Sequence, residues 1–318
     1  MSTPRNSRLE TVDPAPLAWA GWQLEAPPDW RPLQIRGNWE RGSLLAGNSL
    51  HPTVHVKWWR PAEDEQFHAD DWIEVRLEKI CRGGAKRQAG PHPAEFSHTA
   101  WVPEAADADG DRRSLWYGYA PGAGLVLEIA LNADVPAPLL QHMHRRVLPS
   151  CTVSPADAPS LWAVFGTSFL IPADYRLSDR HLQLGDICLR FRREKRERIL
   201  VRQVYPADLA ETRRTLPTWL RFPPFKERRR FRGEQEAPVP WSVTVGKTVF
   251  EGVRRRGKKR LPTPLGRYTP LHSTAAVMRD TGQGRLLLAE IDSPNPIPDR
   301  RLETLIAVMN RPDAALDW

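Results

Sequence analysis

The chain has 318 residues, enough for roughly two domains. Its composition, 41% hydrophobic and 26% charged, is that of an ordinary globular protein and excludes a wholly disordered chain. Lys plus Arg is 46 against 38 Asp plus Glu, a net charge of +8 and a pI near 9.7, which favours acidic partners. With 31 prolines, long helical bundles are excluded, because proline breaks helix interiors.

Residues 1–14 are polar and read as a flexible N-terminus with no secretory signal. No stretch reaches the roughly 18 apolar residues of a membrane helix. From Ala15 onward the chain shows two similar halves, 15–153 and 160–312, joined by a linker, Ser154–Pro159, rich in proline and small residues; residues 313–318 form a C-terminal tail. The first half opens with a strand ending Leu24-Glu-Ala-Pro27, then a turn with Asp29, then Trp30 and Arg31. The second opens with Phe169-Leu-Ile-Pro172, Asp174, Tyr175 and Arg176. A second strand starts at Gly42 and at Gly185, and a third runs over Val54–Trp59 and Ile199–Tyr205, each followed by a proline, Pro61 and Pro206.

A helix comes next in each half. The spacing predicts one over 64–80, with Phe67, Trp72, Val75 and Ile80 buried, and one over 207–220, with Leu209, Leu216 and Leu220 buried and Pro217 shortening or breaking it. Each half closes with two strands, Leu115–Tyr119 and Gly124–Leu131 in the first, Thr274–Met278 and Gly284–Ile291 in the second. Proline-opened helices follow over 136–148 and 298–309. Leu139, Leu140, Met143 and Val147 form one apolar face, and Leu302, Leu305, Ile306 and Met309 its equivalent.

Consecutive strands without crossover helices imply antiparallel sheets. The predicted fold class is therefore α+β: two similar α/β/α-type domains, each with an antiparallel sheet covered by helices. The order β-β-β-α-β-β-β-α, the opening Phe169–Tyr175 and the closing strand–helix pair 285–309 resemble the Mog/PsbP-like fold, twice in tandem. That resemblance implies a protein-binding role and carries over no site residue. The insertion 222–240 and the basic excess of the second half depart from a minimal domain of that kind.

Residues 190–260 hold 22 Lys and Arg against 8 Asp and Glu. Two clusters stand out in this segment: Lys226, Arg228, Arg229, Arg230 and Arg232, and Arg254, Arg255, Arg256, Lys258, Lys259 and Arg260. These residues are the candidate partner-binding surface, with Arg228–Arg230 and Arg254–Arg256 expected to be exposed. An acidic protein surface is the expected partner. Nucleic acid is the alternative, through phosphate contacts and stacking on Phe225 or Phe231. Of 13 tryptophans, nine lie in the first half; most are expected in the core, with Trp39 or Trp59 at an interface.

Catalytic signatures are missing. There is no nucleophile elbow, no phosphate-binding loop and no dinucleotide fingerprint. Gly246-Lys247-Thr248 lacks the earlier glycine, and Asp107–Asp111 lacks the closing glutamate of a calcium loop. His142 and His144 diverge on a helix, His51 and His55 share a strand face without a carboxylate, and Cys81, Cys151 and Cys188 form no metal spacing. The sequence assigns no cofactor, no metal, no small-molecule substrate and no catalytic residue. It favours a non-enzymatic, cytoplasmic protein-binding adaptor or accessory subunit of a larger assembly. An enzyme of unrecognised type is the further alternative, and a low-pKa cysteine beside a histidine in an open cleft would be its mark.

Overall fold

The computed structural model describes residues 14–48, 52–62, 67–81, 86–106, 112–132, 137–183, 185–194, 197–221, 235–262 and 268–309. The expected N-terminal segment 1–13, the C-terminal tail 313–318, Phe225, Phe231, His51 and the cluster Lys226, Arg228, Arg229, Arg230 and Arg232 lie outside these residues. The chain divides into two compact units, Met1–Gly166 and Thr167–Trp318.

The first unit begins with a hairpin, β1 (Ala15–Trp19) and β2 (Trp22–Ala26). Its two turn residues, Ala20 and Gly21, both have positive φ, 50° and 88°, as the tight turn that matches strand twist requires. Next come β3 (Arg31–Gly37), β4 (Arg41–Gly47), β5 (Pro52–Trp59), α1 (Ala69–Cys81), β6 (His98–Ala106), β7 (Arg112–Ala120) and β8 (Leu125–Asn132). A short helix α2 (Ala137–His142) runs into a π-turn at Met143–Val147. The unit ends with β9 (Thr152–Val153) and β10 (Ser160–Val164). The main sheet is antiparallel with the order β3-β4-β5-β8-β7-β6. A small sheet runs β10-β1-β2-β9 within this unit, and in it Ala18 faces Ala163.

The second unit holds β11 (Thr167–Ile171), β12 (Arg176–Gln183), β13 (Asp186–Arg193), β14 (Glu197–Val204), α3 (Ala207–Arg213), α4 (Leu216–Trp219), β15 (Val239–Val245), β16 (Thr248–Pro262), β17 (Tyr268–Asp280), β18 (Arg285–Ser293) and α5 (Asp299–Val308). Its sheet runs β12-β13-β14-β18-β17-β16-β15. In both units a three-strand meander precedes the helical segment, and the last strand returns to pair with the third, β8 with β5 and β18 with β14. The strand order thus recurs between units.

The α+β expectation is overturned. Of the described residues 54% are strand and 19% helix, and the strands form three sheets, so these are not helix-covered α/β/α domains. The excess comes from strands that carry little apolar alternation. Edge strand β3 exposes Arg31, Leu33, Gln34 and Arg36, and edge strand β12 is charged along its length. The 15-residue β16 carries the Arg254–Arg260 run inside a sheet rather than in a loop. The division between units falls at Gly166–Thr167, beyond 154–159, and β10 pairs with β1 of the first unit.

The helices are short and partly rephased. In α1 the buried face is Ala69, Ile73 and Leu77, which pack on Ala100, Val102, Leu115, Tyr117 and Ala130. Val75, expected inside, is exposed. Pro217 lies in the first turn of α4 and separates it from α3. Ala207, Ala210, Trp219 and Leu220 cover Val277, Leu286 and Leu288, whereas Leu209 is exposed. On α5 the expected face holds: Leu302, Leu305, Ile306 and Met309 are all buried. Trp19, Trp22, Trp58, Trp116 and Trp162 are fully buried; Trp19 packs edge-on against Trp162 at 4.7 Å. Among the described residues no helix is long and apolar enough to cross a membrane.

Candidate functional site

A β-strand turns successive side chains to opposite faces, and this splits the basic run of β16 in two. Arg255 lies in register with Ala275 and Lys259 with Leu271, on the face that α3 and α4 cover. Both are withdrawn from solvent. Arg255 is buried and donates to Gln235 Oε1 at 2.8 Å. Lys259 pairs with Glu290 and, at 3.0 Å, with Asp292. Burial pushes the Lys259 ammonium below its ordinary value against the opposing pull of Asp292. These two residues do not present the exposed charge that the sequence suggested.

Arg254, Arg256 and Lys258 point to the other face, towards the start of α5. Asp299, at the first position of that helix, receives Arg254 at 2.6 Å and Arg256 on its other oxygen. Burial pushes the Asp299 carboxyl up, but the hydrogen bonds from Arg256 and Arg254 outweigh it and hold the group below its ordinary range. Arg254 is largely enclosed, with its guanidinium 5.5 Å from the Trp241 ring centroid; it too departs from the expected exposure. Arg256 and Lys258 are exposed, and the side chain of Arg260 lies outside the described residues.

Arg256 and Lys258 line a cleft of 480 Å³ together with His272, Ser273, Thr274, Gln235, Glu236, Pro296 and Ile297. Register places Lys258 beside His272 and Arg256 beside Thr274. The cleft therefore offers cations, the chemistry that accepts carboxylates or phosphates, while the Ser273 hydroxyl turns to the opposite face and Thr274 is buried. His272, Ser273 and Thr274 were missed in the sequence; their signal is the period-2 pairing of β17 with β16, which only the register reveals.

The two candidate tryptophans differ. Trp39 is half-buried and committed within the unit: the Arg60 guanidinium lies 4.1 Å from its ring centroid, and its ring packs against Trp162 at 6.2 Å. Trp59 lies half-buried in an aromatic cluster with Phe67, at 5.1 Å, and Trp72, at 5.6 Å.

Among the described residues Ser97 Oγ lies 2.7 Å from His98 Nδ1, and His98 Nε2 lies 3.1 Å from Asp70. Cys151 and Cys188 are buried, and burial pushes both thiols up. The side chain of Cys81 lies outside the described residues. His181 stands in register with Cys188, yet that thiol is fully enclosed. His55 is pushed down by burial, then by Lys57, and His144 packs against Trp101 at 5.4 Å. Among the described residues no group of three or more His, Cys, Asp or Glu is placed to hold a metal ion. No family model matches the chain, and no curated protein matches it.

Proposed function

We propose that the protein is a non-enzymatic adaptor, built by duplication of one unit and acting in the cytoplasm, that docks an acidic segment of a partner protein on its second unit. The observation that carries this reading is the cleft lined by Arg256, Lys258 and His272 on one face of the sheet. Of the basic residues in β16, Lys258 has no ion pair among the described residues, and Arg256, though paired with Asp299, stays exposed; these two can meet a partner, whereas Arg254, Arg255 and Lys259 serve the fold.

Binding of hexaglutamate and of a 20-nucleotide single strand to the full chain, titrated with salt, tests this. The double variant Arg256→Glu/Lys258→Glu is expected to weaken hexaglutamate binding about tenfold and to lower the melting temperature only slightly, because the exposed Arg256–Asp299 pair it breaks is worth no more than about 1 kcal/mol. Undiminished hexaglutamate binding by the variant would remove the cleft from the reading. Preference for the single strand over the peptide at matched charge would replace it with nucleic-acid association.

A further inference from the structure

The first unit carries a second cleft, of 510 Å³, lined by Arg41, Lys57, Trp59, Trp72, Arg76 and Glu128 among others. It lies on the face of the main sheet that α1 covers in part. Cross-strand register sets its floor: Arg41 faces Trp59, which faces Val126, and in the next row Lys57 faces Glu128. The Lys57 ammonium is spent on Glu128 at 2.5 Å. From α1, Trp72 and Arg76, one turn apart, reach over the same floor, with the Arg76 guanidinium 5.3 Å from the Trp72 ring centroid. Among the described residues no carboxylate pairs with Arg41 or Arg76. Two uncompensated guanidinium groups thus bracket two half-buried indoles.

We propose that this cleft binds a short acidic segment of a partner protein that carries an aromatic or aliphatic side chain between carboxylates. Charge complementarity selects the carboxylates, since an arginine–carboxylate contact is charge-assisted and directional. The indole wall selects the apolar side chain, because aromatic pairs gain beyond simple area burial. A nucleobase is disfavoured: the Trp59 and Trp72 rings are already in contact at 5.6 Å, which leaves no slot between them, and Arg76 occupies one face of Trp72. The site stands in the other unit from Arg256 and Lys258 and does not depend on them.

The test is calorimetric titration of the full chain with two capped pentapeptides, one with phenylalanine between pairs of glutamates and one with glycine in its place. The phenylalanine peptide is expected to bind about tenfold more tightly, the scale of one well-placed aromatic anchor. Arg41→Glu/Arg76→Glu is expected to abolish that difference with no loss of melting temperature, Arg41→Lys/Arg76→Lys to retain most of it, and Arg256→Glu/Lys258→Glu to leave it intact. Equal binding of the two peptides, a difference that survives reversal at Arg41 and Arg76, or one lost on reversal at Arg256 and Lys258 overturns the proposal. So does binding of adenosine monophosphate in competition with the phenylalanine peptide.

Discussion

Lys258 and Lys259 are neighbours with opposite duties. Lys258 is exposed at the basic cleft, whereas Lys259 sits between Glu290 and Asp292 with its side chain 13% exposed. Removing one partner of a buried ionic cluster leaves the others desolvated and unpaired, at a cost of about 3–5 kcal/mol. Lys259→Met is therefore expected to lower the unfolding free energy by about that much in urea, and Lys258→Met to change it by less than about 0.5 kcal/mol. Equal, small effects would show that Lys259 is not structurally committed. The pair also shows what was legible at this scale. The run Arg254–Arg260 reads correctly as positive charge, but charge alone says nothing about which side chain is turned inward. That needs the knowledge that the run is a strand, and seven residues with six cations carry no apolar alternation to reveal it.

Among the elements, those with a clear apolar stripe were the readable ones. Helix α5 has Leu302, Leu305, Ile306 and Met309 on one side, opened by Pro298 as its cap, and the sequence located both its span and its face. Helix α1 was located but rephased, because Val75 looks like a core residue yet is exposed, while Ile73 and Leu77 do the packing with Trp72 half-buried against them. Edge strands β3 and β12 were not read at all. An edge is solvated on one side and commonly charged, so its sequence resembles a loop. The basic cleft was half legible for the same reason, since Arg256 and Lys258 stood out as charge while His272 and Thr274 are brought to them by register. The contrast between buried and exposed leucines gives a direct check. Leu305→Ala on α5 removes a fully buried side chain and is expected to cost about 2–5 kcal/mol. Leu209→Ala on α3, half exposed, is expected to cost less than about 1 kcal/mol. Similar losses at the two positions would mean that α3 is packed more tightly than its exposure indicates.

Over the whole molecule the surplus of cations makes acid the vulnerable direction. All 46 Lys and Arg stay charged as the carboxylates protonate, so lowering the pH both raises self-repulsion and dissolves the ion pairs that hold individual arginines. Glu197 is the best-defined case. Burial pushes its carboxyl up, but hydrogen bonds from Arg301 and Tyr175, with the charges of Arg301 and Arg193, prevail and hold it below its ordinary value; Arg301 approaches at 2.6 Å. A carboxyl depressed in the folded state contributes stability that is fully present above the unfolded value of about 4.3 and is lost as the pH falls through the lower, folded value. The native chain is therefore expected to be markedly more stable than Glu197→Gln at pH 7, with the gap closing below about pH 4. Tryptophan emission followed in urea at several pH values measures that gap. Salt is expected to slow the acid loss in both chains, because screening acts on the general repulsion of solvated charges, and to leave the closing of the gap in place, because screening acts less on partly buried pairs. A gap that stays constant from pH 7 to pH 2 would show that Glu197 supports the fold by shape alone and not by its charge.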